Sequence, residues 1–166
     1  LEAIMNKSKL IIGSILLVFA SLNPTQASEP AIEGQVSGIE LCPQFICGSA
    51  IFTGLYSGEV DGAPAIGTWL AAVHHEPLPE EGSVPINGGQ WKLQTWVFRG
   101  LFPSRKNFQG DFGKGTLTAL PGNFYRAEAP LTVTSGGTGT MQLNLLLDEN
   151  SIPQPVKGTL SQTVAE

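Results

Sequence analysis

Ser49-Ala-Ile-Phe-Thr-Gly-Leu-Tyr-Ser-Gly-Glu-Val60 is the stretch on which the fold turns. Its even positions are Ala50, Phe52, Gly54, Tyr56, Gly58 and Val60, so aromatic rings and glycines alternate along one face of a period-two strand. Such a row describes a strongly curved strand, because glycine permits coiling and the rings fill the inside of the curve. A closed or half-closed barrel follows.

Just before it, Cys42-Pro-Gln-Phe-Ile-Cys-Gly48 holds both cysteines of the chain. Four intervening residues, with Pro43 bending the loop, can bring the α-carbons within disulfide range. So small a ring removes about 2 kcal/mol of unfolded-chain freedom, and its effect is local. It would fix the corner between a strand ending near Leu41 and the one starting near Ser49. Redox motifs prefer two intervening residues, and a cysteine metal site needs more ligands than this chain supplies. Cys42 and Cys47 are therefore expected to form a structural disulfide, and no metal site is assigned.

Outward from this centre, Ala31 to Leu41 reads as a strand with a glycine bend at Gly34 and Gly38. Asp61-Gly-Ala-Pro64 reads as a turn. Ile66 to His75 could place Ile66, Trp69, Leu70 and Val73 on a helical face, but ten residues is short for a helix and a strand is preferred. Glu76 to Gly82 is a proline-stiffened acidic loop, and Asn87-Gly88-Gly89 reads as another turn. Gln90 to Arg99 follows as a strand with Trp91, Leu93, Thr95 and Val97 on one face and Trp96 and Phe98 on the other.

Gly100 to Gly113 reads as the longest loop, with a basic tip at Arg105 and Lys106 and with Phe102, Phe108 and Phe112 to pin it. Long loops in compact domains are often functional. The remaining strands are Gly115 to Leu120, Phe124 to Ala129, Leu131 to Ser135 after Pro130, Thr138 to Leu147, and Val156 to Val164. Lys114-Gly-Thr-Leu-Thr118 and Lys157-Gly-Thr-Leu-Ser161 are nearly the same words, but two copies do not establish a duplicated unit. The expectation is an all-β chain of about nine strands forming a single small antiparallel β-barrel, with a β-sandwich as the alternative.

The start of the chain has a different composition. Met5 to Lys9 is short and basic, Leu10 to Leu22 is apolar, and Thr25-Gln-Ala27 ends in small residues, the pattern of a secretory signal peptide over residues 1–27. Leu1 to Ile4 precede the methionine and read as upstream of the true start. Cleavage after Ala27 would leave 139 residues, 28–166, a comfortable single domain. No membrane span is expected after cleavage. An outer-membrane barrel is disfavoured because strands with an uninterrupted apolar outer face are missing and Gln162 to Glu166 lacks a terminal aromatic. A secreted or periplasmic bacterial location is expected.

Net charge is -5, unevenly spread. Ser28 to Gln90 carries eight acids and no Lys or Arg, whereas Lys92 to Arg126 carries six bases and a single acid, Asp111. Opposite charges on neighbouring strands would pair across the sheet; alternatively Arg99, Arg105, Lys106 and Lys114 would form a patch for an anionic ligand. Nucleic acid is not an expected partner, since an exported, negatively charged protein lacks the basic footprint.

Leu131-Thr-Val-Thr-Ser-Gly-Gly-Thr-Gly-Thr-Met141 resembles the allene-oxide-cyclase-like and dirigent-type barrels, in which a strand ends in Gly-Gly-Thr-Gly before an aromatic residue. Met141 stands at the aromatic position, and Gln142 to Leu147 replace the small residues that would follow. The resemblance covers at most the last third of the chain. It implies a small β-barrel with an apolar central pocket that works through ligand shape, and no catalytic residue is carried over.

Few residues offer reactive chemistry. His74-His75-Glu76 is the histidine cluster, and these three are the candidates for acid–base work, although adjacent strand residues point to opposite faces. The chain has no nucleophile elbow after the leader, no phosphate-binding loop and no dinucleotide fingerprint, so no cofactor is expected. Trp69 and Trp91 read as core. Trp96, Phe98, Arg99, Arg105 and Lys106 are the candidates for ligand binding.

Three functions fit these residues. The first is an exported non-enzymatic barrel that binds a small apolar or amphipathic ligand or a surface partner. The second is a barrel-type cyclase or isomerase with a rim His/Glu pair, and the third is a carbohydrate-binding module. They call respectively for an apolar cavity, perturbed ionisable groups converging in it, and a flat exposed tryptophan face. Oligomeric state is left open.

Overall fold

The computed structural model describes residues 31–162. The signal peptide expected at residues 1–27 and the end of the last strand, expected at Val164, lie outside them. Nine strands follow in order: β1 (Ile32–Cys42), β2 (Ala50–Val60), β3 (Ala63–His75), β4 (Ser83–Arg99), β5 (Phe102–Phe112), β6 (Gly115–Leu120), β7 (Phe124–Ser135), β8 (Thr140–Asp148) and β9 (Pro155–Gln162). One helical turn, α1 (Gln44–Cys47), lies between β1 and β2. Eight strands close a ring in the order β1-β2-β3-β4-β5-β7-β8-β9, with β9 paired back onto β1. The ninth, β6, is inserted between the first parts of β4 and β7 and raises the wall at one end. The ring closure makes the fold a barrel and rules out the sandwich.

In β2 the expected parity holds: Ala50, Phe52, Tyr56 and Val60 are buried. Gly54 and Gly58 stand opposite Gly38 and Gly34 of β1. A Cβ at Gly38 would lie 2.0 Å from the Thr53 carbonyl oxygen, and one at Gly34 would lie 2.8 Å from the Tyr56 ring. The glycine pairs thus let two strands coil tightly and leave room for the ring. Tyr56 Oη lies 2.8 Å from the carbonyl oxygens of both Glu33 and Glu59. Burial raises the pKa of this hydroxyl.

Four local expectations are corrected. Asp61 (φ 51) and Gly62 (φ 70) form a two-residue hairpin turn, so Ala63 and Pro64 already belong to β3. Asn87-Gly88-Gly89 is not a turn but part of the 17-residue β4, where that strand passes from its pairing with β6 to its pairing with β5. Gly100 to Gly113 is not a loop: Gly100-Leu101 turns the chain, and β5 pairs with β4 from Phe102 to Phe112. Residues 102–107 are all exposed because β7 reaches only Gln109 to Phe112. With no core beneath, that half of the strand has no alternation to read.

Pro130, expected to separate two strands, sits within β7. Its carbonyl accepts from the Gly113 N–H at 2.7 Å, at the point where β7 exchanges β6 for β5 as its neighbour. The missing N–H faces that gap, so no ladder bond is lost. The strand count agrees with expectation because one strand is gained and two are merged.

Buried inward positions are apolar apart from Thr95, with Val36, Tyr56, Val60, Val97, Leu131 and Met141 wholly buried. Outward positions include Glu33, Gln35, Ser57, Lys92, Gln94 and Thr132, all exposed. Other outward positions carry exposed apolar side chains, among them Leu55, Ile66, Leu70, Trp96 and Phe98. Among the described residues no helix is long and apolar enough to cross a membrane.

Candidate functional site

One end of the barrel is capped. Cys42 and Cys47 are disulfide-bonded with their α-carbons 6.1 Å apart, which holds α1 over the rim. Gln44 fastens this cap to β3, because its Nε2 donates to the His75 carbonyl at 2.7 Å while its Oε1 accepts from the His75 N–H at 2.8 Å. The acidic loop between β3 and β4 crosses the same end, and Tyr125 Oη donates to the Pro79 carbonyl at 3.3 Å. A disulfide, a side-chain clamp and a tyrosine tether therefore fix the cover over one end.

Beneath the cover lies a cavity of about 490 Å³. An eight-stranded barrel is just wide enough to be filled by side chains or to hold one small ligand. Here Phe52, Val73, Phe112 and Leu143 line it together with Leu145 and Leu147, while the short side chains of Ala127 and Ala129 leave space. Leu117 of β6 adds to the wall. The volume lies within the range of small-molecule pockets, and the lining is largely apolar, as such pockets require.

Polar groups gather at its rim: Glu40, His75, Tyr125, Glu149 and Gln154. Each lies on, or just beyond the end of, an inward row of its strand. Glu40 follows Ile32 and Val36, His75 follows Ala71 and Val73, and Glu149 follows Leu145 and Leu147. Tyr125 precedes Ala127 and Ala129 on β7, and Gln154 precedes Val156 on β9. The rows that build the core thus run out into acids and amides at one end.

The rim is electrostatically distinct. Burial, and then the nearby charge of Glu149, raise the pKa of Glu40 above the ordinary carboxylate value. Burial raises that of Glu149 too, against a hydrogen bond from the Gln154 side chain that lowers it. Burial raises the Tyr125 hydroxyl, reinforced by Glu149 and then Glu80. Gln154 joins the two acids, since its carbonyl also accepts the Glu40 N–H at 2.9 Å.

The residues singled out from sequence are dispersed. His75 lines the cavity, and its Nδ1 donates to the Glu76 carbonyl, leaving Nε2 free of that contact. His74 points the other way, exposed, with Nδ1 3.2 Å from the Gly48 carbonyl oxygen. The Glu76 carboxylate accepts from Asn87 Nδ2 at 3.2 Å. Trp96, Phe98 and Arg105 lie on the outer face, with Trp96 opposite Arg105 in the β4–β5 ladder. Arg99 and Lys106 take the opposite parity, and Arg99 pairs with Asp61 at 3.1 Å.

That is the single ion pair among the described residues, so acidic and basic halves do not pair widely across the sheet. Nor do the basic residues make one patch, since Lys114 stands at the β5–β6 corner and Arg99 beside the β2–β3 turn at the other end. Trp96 borders a shallow outer hollow of about 660 Å³ with Leu55, Ile66 and Lys157. Among the described residues no group of three or more His, Cys, Asp and Glu side chains is gathered as a metal ion would need.

Glu40 and Glu149 were not singled out from the sequence, although a charged residue on an otherwise inward row is a readable signal. The Gly136-Gly137-Thr138-Gly139 segment forms the β7–β8 connection, and none of its residues lines the cavity. Comparison with protein-family models, curated proteins and solved structures found no match.

Proposed function

We propose that this chain is an exported, non-enzymatic β-barrel protein that binds a small apolar or amphipathic molecule in the capped cavity. The observation that carries the reading is the apolar space of about 490 Å³ beneath the disulfide-held cap. A packed barrel of this size has no structural need for such a hollow, and leaving it empty forfeits packing energy. The disulfide fits an oxidising compartment. An apolar central pocket is also what the resemblance to allene-oxide-cyclase-like and dirigent-type barrels implies.

The test is uptake of a neutral, environment-sensitive dye such as Nile red, compared between the wild-type protein and Ala127→Leu, which fills the cavity from β7. The substitution is expected to weaken dye binding by at least about tenfold while leaving the fold intact. No uptake, or equal uptake by both proteins, overturns the reading. Native mass spectrometry of the protein from its exported fraction, with metal analysis on the same sample, would identify a retained ligand.

A second reading has its own support. Two carboxyl groups of raised pKa beside an apolar cavity are the setting in which an acid works at neutral pH, as a cyclase or isomerase would require. The acid–base pair would then be Glu40 and Glu149, with His75 the one member of the histidine cluster placed to join them. The carbohydrate reading rests on Trp96 and the outer hollow alone.

A further inference from the structure

We infer that the ligand of the capped cavity carries a cationic end, an ammonium or amidinium group on an apolar body, and that Glu40 and Glu149 receive it. This rests on the cavity reading above and concerns the chemistry of the occupant. Two charged side chains line the space, Glu40 and Glu149, and no Lys or Arg does. Neither takes part in an ion pair, since Arg99–Asp61 is the single one among the described residues.

Gln154 accepts the Glu40 N–H through its carbonyl at 2.9 Å, and Glu40, Glu149 and Gln154 line the same rim of the cavity. The cap and acidic loop that cover the cavity belong to the half of the chain from Ser28 to Gln90, which has no Lys or Arg. Of the described bases, Lys92, Arg105, Arg126 and Lys157 lie on outward-facing strand positions. Lys114 is exposed on the β5–β6 corner and does not line the space.

An unpaired carboxylate partly withdrawn from water is unfavourable, and an opposite charge in a low-dielectric site recovers much of what was lost. An incoming cation supplies that charge and two acceptors. An incoming carboxylate would meet two like charges and no donor of positive charge, which excludes free fatty acids and other anionic amphiphiles as the preferred occupants. The apolar floor takes the hydrocarbon part, so the ligand is oriented with its charged end towards the cap.

Three probes of equal chain length test the inference: octylammonium, octanol and octanoate, each measured by calorimetry below its aggregation concentration. Octylammonium is expected to bind at least about tenfold more tightly than octanol, and octanoate at least about tenfold more weakly. In the Glu40→Gln/Glu149→Gln variant the preference for octylammonium over octanol should disappear. Equal binding of all three to the wild-type protein, or a preference for octanoate, overturns the inference and leaves the cavity reading standing. Binding of none of them overturns the cavity reading, and the inference with it. Because the wild-type comparison needs no substitution, the result does not depend on the variant's folding.

Discussion

Below the cavity, Tyr56, Val97, Leu131 and Met141 are wholly buried inside the barrel, whereas at the capped end the same inward rows continue into Glu40, His75, Glu149 and Gln154 around a hollow. The backbone rule is identical in both halves, since every second residue points inside. What differs is side-chain volume and polarity. Tyrosine and leucine stabilise one half by exclusion of water, while Ala127, Ala129 and the acids of the other half leave a place for a different molecule. One half holds the fold and the other is available for binding.

The contrast can be broken most directly by truncation. Leu93→Ala removes a fully buried side chain from the packed half and is expected to cost about 3–5 kcal/mol. Leu143→Ala, facing the hollow, is expected to cost no more than about 2 kcal/mol, because the space beside it already exists. Chemical denaturation of both variants checks the pair. Equal losses would mean that the hollow half is as tightly held as the packed one.

A smaller effect should follow from opening the staple. Replacing Cys42 and Cys47 together by serine is expected to lower stability by about 2 kcal/mol, as a short loop allows. The consequence for the site should exceed the consequence for the fold. Gln44 would lose its covalent support, so exchange of a cavity-bound dye, followed by stopped-flow fluorescence, should become faster. An unchanged exchange rate would show that the clamp onto His75 holds the cap alone.

The smallest effect is on pH dependence. Glu40 and Glu149 hold their protons more tightly in the folded protein than in the unfolded chain, so their charged forms oppose folding. As pH falls from neutral through their raised folded values towards the ordinary carboxylate range, this opposition should fade and stability should rise. Glu40→Gln/Glu149→Gln should therefore be more stable than the wild-type protein at neutral pH, by less than about 1 kcal/mol given the partial exposure of both groups. The difference should vanish as the pH is lowered. Thermal melts across that window check it, and a stability gain that persisted at low pH would have another origin.

These comparisons also locate what could be read from residues. The alternation of Phe52, Gly54, Tyr56 and Gly58 was enough for a coiled strand because each face has one environment along the whole strand. The disulfide was legible from spacing, since a loop of four residues constrains the ends directly. In β5, by contrast, residues 102–107 border sheet on one side and solvent on the other, so their sequence carries no period and reads as a loop. Pro130 misled for a related reason, since its break in donors falls where β7 changes neighbours and needs none.

The candidate site was legible in parts that had to be assembled. Glu40 and Glu149 are separated by more than a hundred residues, and each is unremarked in its own segment. Parity places Glu40 inside, and Glu149 stands in the turn just past the inward row of β8; ring closure through the β1–β9 pairing brings them to the same end. Residues alone were enough for most of the strands, the inward row of β2 and the disulfide, because those depend on neighbours a few residues away. It took the folded chain to choose barrel over sandwich, to set β6 between β4 and β7 as one raised wall, and to bring two distant acids to the rim of one apolar space. Those outcomes depend on long-range register, which no local pattern encodes.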